Sequence, residues 1–314
     1  EFLKNGALAA AGTTLVSNSL FSCGSGTSSK QAAATAEQAV AANDQVVAVQ
    51  LYCVREDMKQ DPLATLTKLA EMGYRHVEHA DYNDRKFYGY PAVEFKKVLG
   101  DMGMQMPSGH TVLGKDHWDA NKNDFTDAWK YTIEDAATMG QKFVVSPWLD
   151  NSFWSSYDAL MGFLEVFNKC GELCQKSGMK FGYHNHDFEF SEVLNGEVMF
   201  DIMLKNTDPD KVGIQLDVGN MYIAGAKAKD IILKYPSRFE TIHVKDMIKS
   251  ESEDGHGFES TILGKGLVGT REVTDMSKEQ GTWLFIIEQE SYQGKTPLDC
   301  MKEDLEIINQ WGYV

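Results

Sequence analysis

From residue 45 onward the chain alternates two hydrophobic patterns. Compact runs rich in Val, Ile and aromatic residues recur: "VVAVQLY" (46–52), "RHVEHA" (75–80), "MQMPSGH" (104–110) and "KFVVSPW" (142–148). Four more follow, "KFGYHNH" (180–186), "VGIQLDV" (212–218), "TIHVKD" (241–246) and "WLFIIEQE" (283–290). Their length and β-branched content predict strands. Between most of them, apolar residues return at three- and four-residue intervals. "PLATLTKLAEMG" and "YDALMGFLEVFNKCGELCQKSG" are examples, and each stops at a glycine, as a helix with a left-handed cap does. Asp124 is expected to cap the helix before the fourth strand. Eight strands that begin roughly 30–40 residues apart, with helices between, predict an α/β fold, a single-domain (β/α)8 TIM barrel. A doubly wound sheet would need a Gly-rich phosphate loop after the first strand, and "YCVREDMKQDP" contains no glycine.

In such barrels the chemistry sits where strands end. The fifth run continues as "YHNHDFEF", and a two-residue spacing puts His184 and His186 on one face of a strand. The sixth run ends "QLDVGN", the seventh "HVKD" and the eighth "IIEQE". Gln215 and Asp217, His243 and Lys245, and Glu288 and Glu290 thus form pairs of shared parity. A barrel interior is otherwise filled with aliphatic side chains, so ionisable groups there need one another or a cation. His184, Asp217, His243 and Glu288, from four consecutive strands, therefore predict a divalent metal site. Two imidazoles and two carboxylates suit Mn, Co, Fe or Zn and fit Mg or Ca poorly. Four protein ligands leave positions for substrate oxygens, so the ion can act as a Lewis acid.

The stretches "VQLYCVRED", "GYRHVEHA", "YHNHDFEF", "IQLDVGN", "HVKD", "LGKGLV" and "IIEQE" together resemble the xylose isomerase-like TIM barrel superfamily. That superfamily holds sugar phosphate isomerases and epimerases, ketose 3-epimerases and inosose dehydratases among them. The resemblance runs from about residue 46 to residue 314. It implies one divalent metal at the barrel mouth, Mn foremost, with Co, Zn or Fe as alternatives. In ketose epimerases the ligands are Glu, Asp, His and Glu from the fifth to eighth strands, and these fall here on His184, Asp217, His243 and Glu288. His184 departs from that pattern. Two-base epimerases use the glutamates of the fifth and eighth strands as opposed proton carriers, and histidine at 184 removes one of them.

The reaction expected is proton abstraction beside a metal-polarised carbonyl of a sugar or keto-sugar, by an isomerase or epimerase-like enzyme. A lyase or dehydratase that eliminates from a keto-sugar or 3-keto-glycoside is the alternative. A lipoprotein that only binds carbohydrate is a third reading. His186 and Glu288 are the candidate bases, and Lys245 is expected to hold a substrate oxygen or to pair with Asp246 or Asp217. Tyr52, Glu78, His110 and Trp148, at the ends of strands one to four, are expected to line the substrate pocket, with aromatic faces for a sugar ring. Asp187 and Glu189 are expected to bind hydroxyls or to orient an imidazole. The polar, Gly-rich segment 247–266 reads as a substrate-covering loop.

Composition narrows the substrate. The 314-residue chain is 43% hydrophobic, enough for a large core, and carries a formal charge of -16. That charge weighs against a nucleic-acid groove, including one of the apurinic endonuclease type, and against a free sugar phosphate. Cys53, Cys170, Cys174 and Cys300 show no metal-knuckle spacing and read as buried thiols. Residues 1–22 read as the remnant of a twin-arginine or lipoprotein-type export signal. "LFSC" resembles a lipobox that would place a lipid anchor on Cys23. Residues 23–44 read as a flexible linker and 45–314 as the barrel. An enzyme in the periplasm, or anchored to a membrane, meets unphosphorylated sugars, so a small neutral sugar or keto-sugar is the expected partner, and no nucleic acid.

Overall fold

The computed structural model describes residues 45–251 and 256–313. The expected export signal, linker and lipid-bearing Cys23 lie outside the described residues.

Eight parallel strands close into a barrel in chain order. They are β1 (Val46–Gln50), β2 (His76–His79), β3 (Gln105–His110), β4 (Phe143–Ser146), β5 (Lys180–His184), β6 (Val212–Asp217), β7 (Thr241–Val244) and β8 (Leu284–Ile287). β1 pairs with both β2 and β8, which seals the cylinder. Each of the eight sequence runs supplies one strand, and β5, β7 and β8 stop before the polar residues that end their runs. After β1, the Gln50 side chain accepts the Tyr52 N–H and starts the 3-10 turn Leu51–Val54, which throws Tyr52 outward.

Helices cover the outside, and their ends follow local chemistry. Pro62–Met72 starts with proline after Asp61, whose carboxylate accepts the Ala64 N–H, and ends at Gly73 with φ 117°. Ser156 caps Tyr157–Gln175 by accepting from Ala159. Asp124 does not cap a helix, contrary to expectation. The helix Asp127–Met139 begins later, behind Thr126. Asp124 lies in a short hairpin opposite Asp119, where its carboxylate accepts the Phe125 N–H and pairs with Lys130 at 2.6 Å. The expected loop 247–266 carries strand pairing on either side of residues 252–255, which lie outside the described residues. Asp246–Lys249 pairs antiparallel with Phe258–Thr261. The buried Asp246 carboxylate accepts the N–H groups of Met247, Gly266 and Val268 and the Thr270 hydroxyl, which fastens the "LGKGLV" turn.

The main core lies between strands and helices, and the four described cysteines are buried and free. A separate cluster of Ala48, Phe143, Val145, Leu284 and Ile286 follows the other strand parity and fills the barrel floor. Two residues further along those strands the parity continues with Gln50 and Glu288. The interior therefore changes from an apolar floor to a polar deck, and the deck carries the site.

Candidate metal centre and cavity

Register builds the centre. Asp217 on β6 is level with His243 on β7, and His184 on β5 is level with Gln215 one step lower on β6. Glu288 follows β8, its N–H bonded to the Val244 carbonyl at 3.2 Å. One ligand atom from each of His184, Asp217, His243 and Glu288 lies within 4.8 Å of the others, and all four side chains are buried. Together they form a cluster able to hold a divalent metal ion.

Hydrogen bonding shows that the set suits a cation. Asp217 Oδ1 accepts the Asn220 N–H at 2.6 Å, whereas the buried Oδ2 has no hydrogen-bond partner. Lys245 Nζ faces that oxygen at 3.6 Å, beyond hydrogen-bond reach, so the oxygen keeps its lone pairs for a cation. Burial raises the Asp217 carboxyl to about 7, against the pull of nearby Lys245. At His184, burial, reinforced by His243 and His110, keeps the imidazole well below its ordinary value, so it is neutral and has a lone pair to offer. His243 is bracketed by Glu288 Oε2, 3.0 Å from Nδ1, and Glu78 Oε1, 2.7 Å from Nε2. Burial opposes charge there, but the two carboxylates outweigh it and raise the imidazole to about 10. A field that favours a proton at this point also favours a metal cation competing for the same groups. Burial pushes Glu288 up as well, yet the charges of Lys245 and His243 prevail and hold it well below the usual carboxylate range.

The remaining expected site residues separate into three positions. Glu78 is not in the substrate pocket. It is fully buried beneath the ligands and accepts from Gln50 Nε2 and Gln215 Nε2, each at 2.8 Å, and from the Ser108 hydroxyl. Glu189 is also fully buried, taking the Tyr183 hydroxyl and the His186 backbone N–H, the latter at 2.8 Å. Burial raises it to about 8. It orients the turn that carries His186 and is not among the residues lining the cavity. Asp187 turns away to an ion pair with His256 at 3.0 Å.

His186, Lys245 and His110 stand with the ligands. The His186 ring lies 5.3 Å from that of His184, and its Nδ1 has no partner. Burial, followed by the charge of Lys245, lowers it to about 4. Lys245 Nζ lies 3.4 Å from Glu288 Oε2 and 3.6 Å from Asp217 Oδ2, and it also pairs with Glu290. Asp246, the other expected partner, is committed to the backbone of its own turn. Gly219 is required here, because a Cβ would fall 2.7 Å from Lys245 Cγ. His110 stacks on His243 with ring centroids 5.2 Å apart, and its Nε2 is 2.7 Å from Gln215 Oε1.

Tyr52 lines the cavity above the centre, whereas Trp148 is exposed and is not among the lining residues. A cavity of about 930 Å³ opens from His184 and Glu288, passes His110, Asn220 and Tyr52, and reaches Tyr131 and the segment 81–85. Trp148 meets His186 edge-on at 5.1 Å. The sequence reading missed Gln50, Ser108 and Asn220, and it missed the outer wall formed by 81–85. Gln50 and Ser108 carried a usable signal, a polar side chain at an inward strand position. The wall carried none, because its hairpin pairs only two residues per strand.

Known proteins agree with this architecture. The family described as Xylose isomerase-like TIM barrel matches residues 66–311. A crystal structure of a sugar phosphate isomerase/epimerase from Parabacteroides distasonis superposes with a TM-score of 0.74 at 26% identity, over 91% of this chain and 100% of that one. An L-ribulose 3-epimerase structure, at 14% identity and a TM-score of 0.63 over 84% of this chain and 93% of that one, shares the fold. Inosose dehydratase from Geobacillus kaustophilus is 26% identical over 197 residues, 60% of this chain and 54% of the relative. The enzyme of that name from Lacticaseibacillus casei is 25% identical over 131 residues, 38% of this chain and 43% of the relative. The chain thus spans about half the length of these curated relatives. With a match across most of its length and a closed eight-stranded barrel to go with it, the chain belongs to the xylose isomerase-like TIM barrel family.

Proposed function

We propose that the protein is a divalent-metal-dependent enzyme that removes the proton next to a carbonyl of an unphosphorylated sugar or keto-sugar, as sugar isomerases and epimerases do. The observation that carries this reading is the convergence of His184, Asp217, His243 and Glu288 at a cavity floor, with the Asp217 Oδ2 taking no hydrogen bond. A divalent ion there, Mn in this reading, supplies Lewis acidity to the carbonyl oxygen. Two protein groups that line the cavity beside it can take the proton, the Glu288 carboxylate and the His186 imidazole. Lys245, 3.4 Å from Glu288, offsets negative charge that develops on the substrate. Glu189 keeps the His186 backbone in place.

The lining supports a neutral substrate. Arg85 is engaged by Asp135 at 2.7 Å and Glu134 at 2.9 Å, and Lys245 by three carboxylates, so neither is free to take a phosphate. Asp81, Asp84 and Glu290 add negative charge to the same cavity.

Elimination is the second reading, and His184 favours it. With a carboxylate on β8 and an imidazole on β5, the centre lacks the matched pair of acids that symmetric epimerisation uses. The partial similarity to inosose dehydratases points the same way.

The test is solvent deuterium incorporation into a panel of keto-sugars and glycosides, with Mn supplied. Wild type should label a substrate carbon, with the product then distinguishing isomer from eliminated fragment. His243→Ala should lose both Mn and labelling. Labelling that persists at wild-type rate in that variant, with the centre empty, refutes the proposal.

A further inference from the structure

We infer that the cavity contains a second subsite, formed by Tyr131, Tyr52 and the segment 81–85, that binds the neighbouring ring of a neutral glycoside, so the substrate has at least two rings. The inference rests on the reading above that a neutral sugar reacts at the metal centre.

Size is the first argument. The cavity measures about 930 Å³, near the top of the roughly 300–1,000 Å³ range that encloses drug-sized ligands. One sugar ring against His184 and Glu288 leaves the far arm unfilled.

The lining of that arm is the second. Among the described residues, the large aromatic side chains left exposed are Tyr52 at 41%, Tyr131 at 44% and Trp148 at 48%. Tyr52 and Tyr131 line this cavity, and Trp148 meets His186, another of its lining residues, edge-on. The exposed faces of Tyr52 and Tyr131 suit the apolar face of a pyranose, while their hydroxyls stay wet. Between them, the side chains of Asp81, Asn83 and Asp84 make no hydrogen bond or ion pair with the described residues and are available to sugar hydroxyls.

The arm is also firmly built. Its wall is the hairpin Tyr82–Asn83 against Lys86–Phe87, turned through Asp84 and Arg85 with φ of 47° and 61°. Non-glycine residues are seldom held there without support. Support comes from the helix Asp127–Met139. Tyr82 donates to Asp135 at 2.7 Å, and the Arg85 guanidinium bonds Asp135 and lies 4.3 Å over the Tyr131 ring. Arg85 thereby braces one face of Tyr131 and leaves the ring's exposed surface for a ligand. Its charge is spent on Asp135 and Glu134, so a neutral ring is what the arm accepts.

Titration calorimetry and saturation-transfer NMR on Mn-loaded protein test this. The probes are glucose, methyl β-glucoside, cellobiose, maltose and trehalose. At least one disaccharide should bind 10-fold or more tightly than both single-ring probes, with saturation transferred to both of its rings. Tyr131→Ala should remove that advantage and leave single-ring binding and Mn affinity unchanged, while Tyr131→Phe should keep it. Single-ring probes binding as tightly as every disaccharide, transfer to one ring only, no binding by any probe, or equal weakening of both classes by Tyr131→Ala would each overturn the subsite. Mn affinity, measured separately by electron paramagnetic resonance, reports on the metal centre itself. Failure of that reading is thereby distinguished from failure of this one.

Discussion

His243 has a carboxylate at each ring nitrogen, and the two have different tasks. Glu78, held from below by Gln50, Gln215 and Ser108, occupies Nε2, which leaves Nδ1, beside Glu288, as the nitrogen that would hold an ion. Partners of this kind fix the tautomer and orientation of a ligand imidazole, and losing one weakens metal affinity by roughly 10–100-fold. Glu78→Gln should therefore weaken Mn binding by about that factor in a paramagnetic resonance titration without abolishing it. Wild-type affinity in this variant would remove Glu78 from the centre. The four ligands were readable from the sequence because alternation along a strand fixes their face. The role of Glu78 was not. Its pairing with β3 shifts register between His76 and Glu78, so the depth of its carboxylate is set by how the barrel closes and not by its own run.

Among whole elements, the helix Pro297–Gln310 does more than cover β8. Its Asp304 accepts the Leu263 N–H at 2.9 Å and so anchors the turn that precedes Thr270. Burial raises this carboxyl to about 7, against about 3.9 in an unfolded chain. Between those values the folded protein retains a proton that the unfolded chain has released, so the contribution of Asp304 to stability falls as pH rises from about 4 to about 7 and is level above. Asp304→Asn keeps an oxygen for Leu263 and lacks that titration. It should be more stable than wild type at pH 8, by up to a few kcal/mol at about 1.4 kcal/mol per pKa unit, and the advantage should fade toward pH 4. Thermal melts across that range would show it, and a gap independent of pH would contradict it. Elements of this length, eight strands and their covering helices, were legible because hydrophobic periodicity accumulates over several residues. The two-residue hairpins after β2 and β3 were not, since they have no period to read, and Asp124 was misplaced for that reason.

At the level of the whole barrel, ion binding and folding are linked. The ligands come from four neighbouring strands, so an unfolded chain has no site to offer, and binding stabilises the closed cylinder. A free divalent ion at about 100 times its dissociation constant would add about 2.7 kcal/mol, and a barrel of this size gains roughly 2–4 °C in Tm per kcal/mol. Chelation should thus lower Tm by several degrees in wild type and leave His243→Ala unmoved. An equal drop in both would place the stabilising ion elsewhere.

The chain order of the wall adds a consequence of its own. All four ion-gripping side chains lie between residues 184 and 288, whereas the outermost lip, 81–85 with Tyr131, is encoded far upstream. Replacing the segment 81–85, which follows β2, would therefore alter what is admitted without touching any of those four side chains.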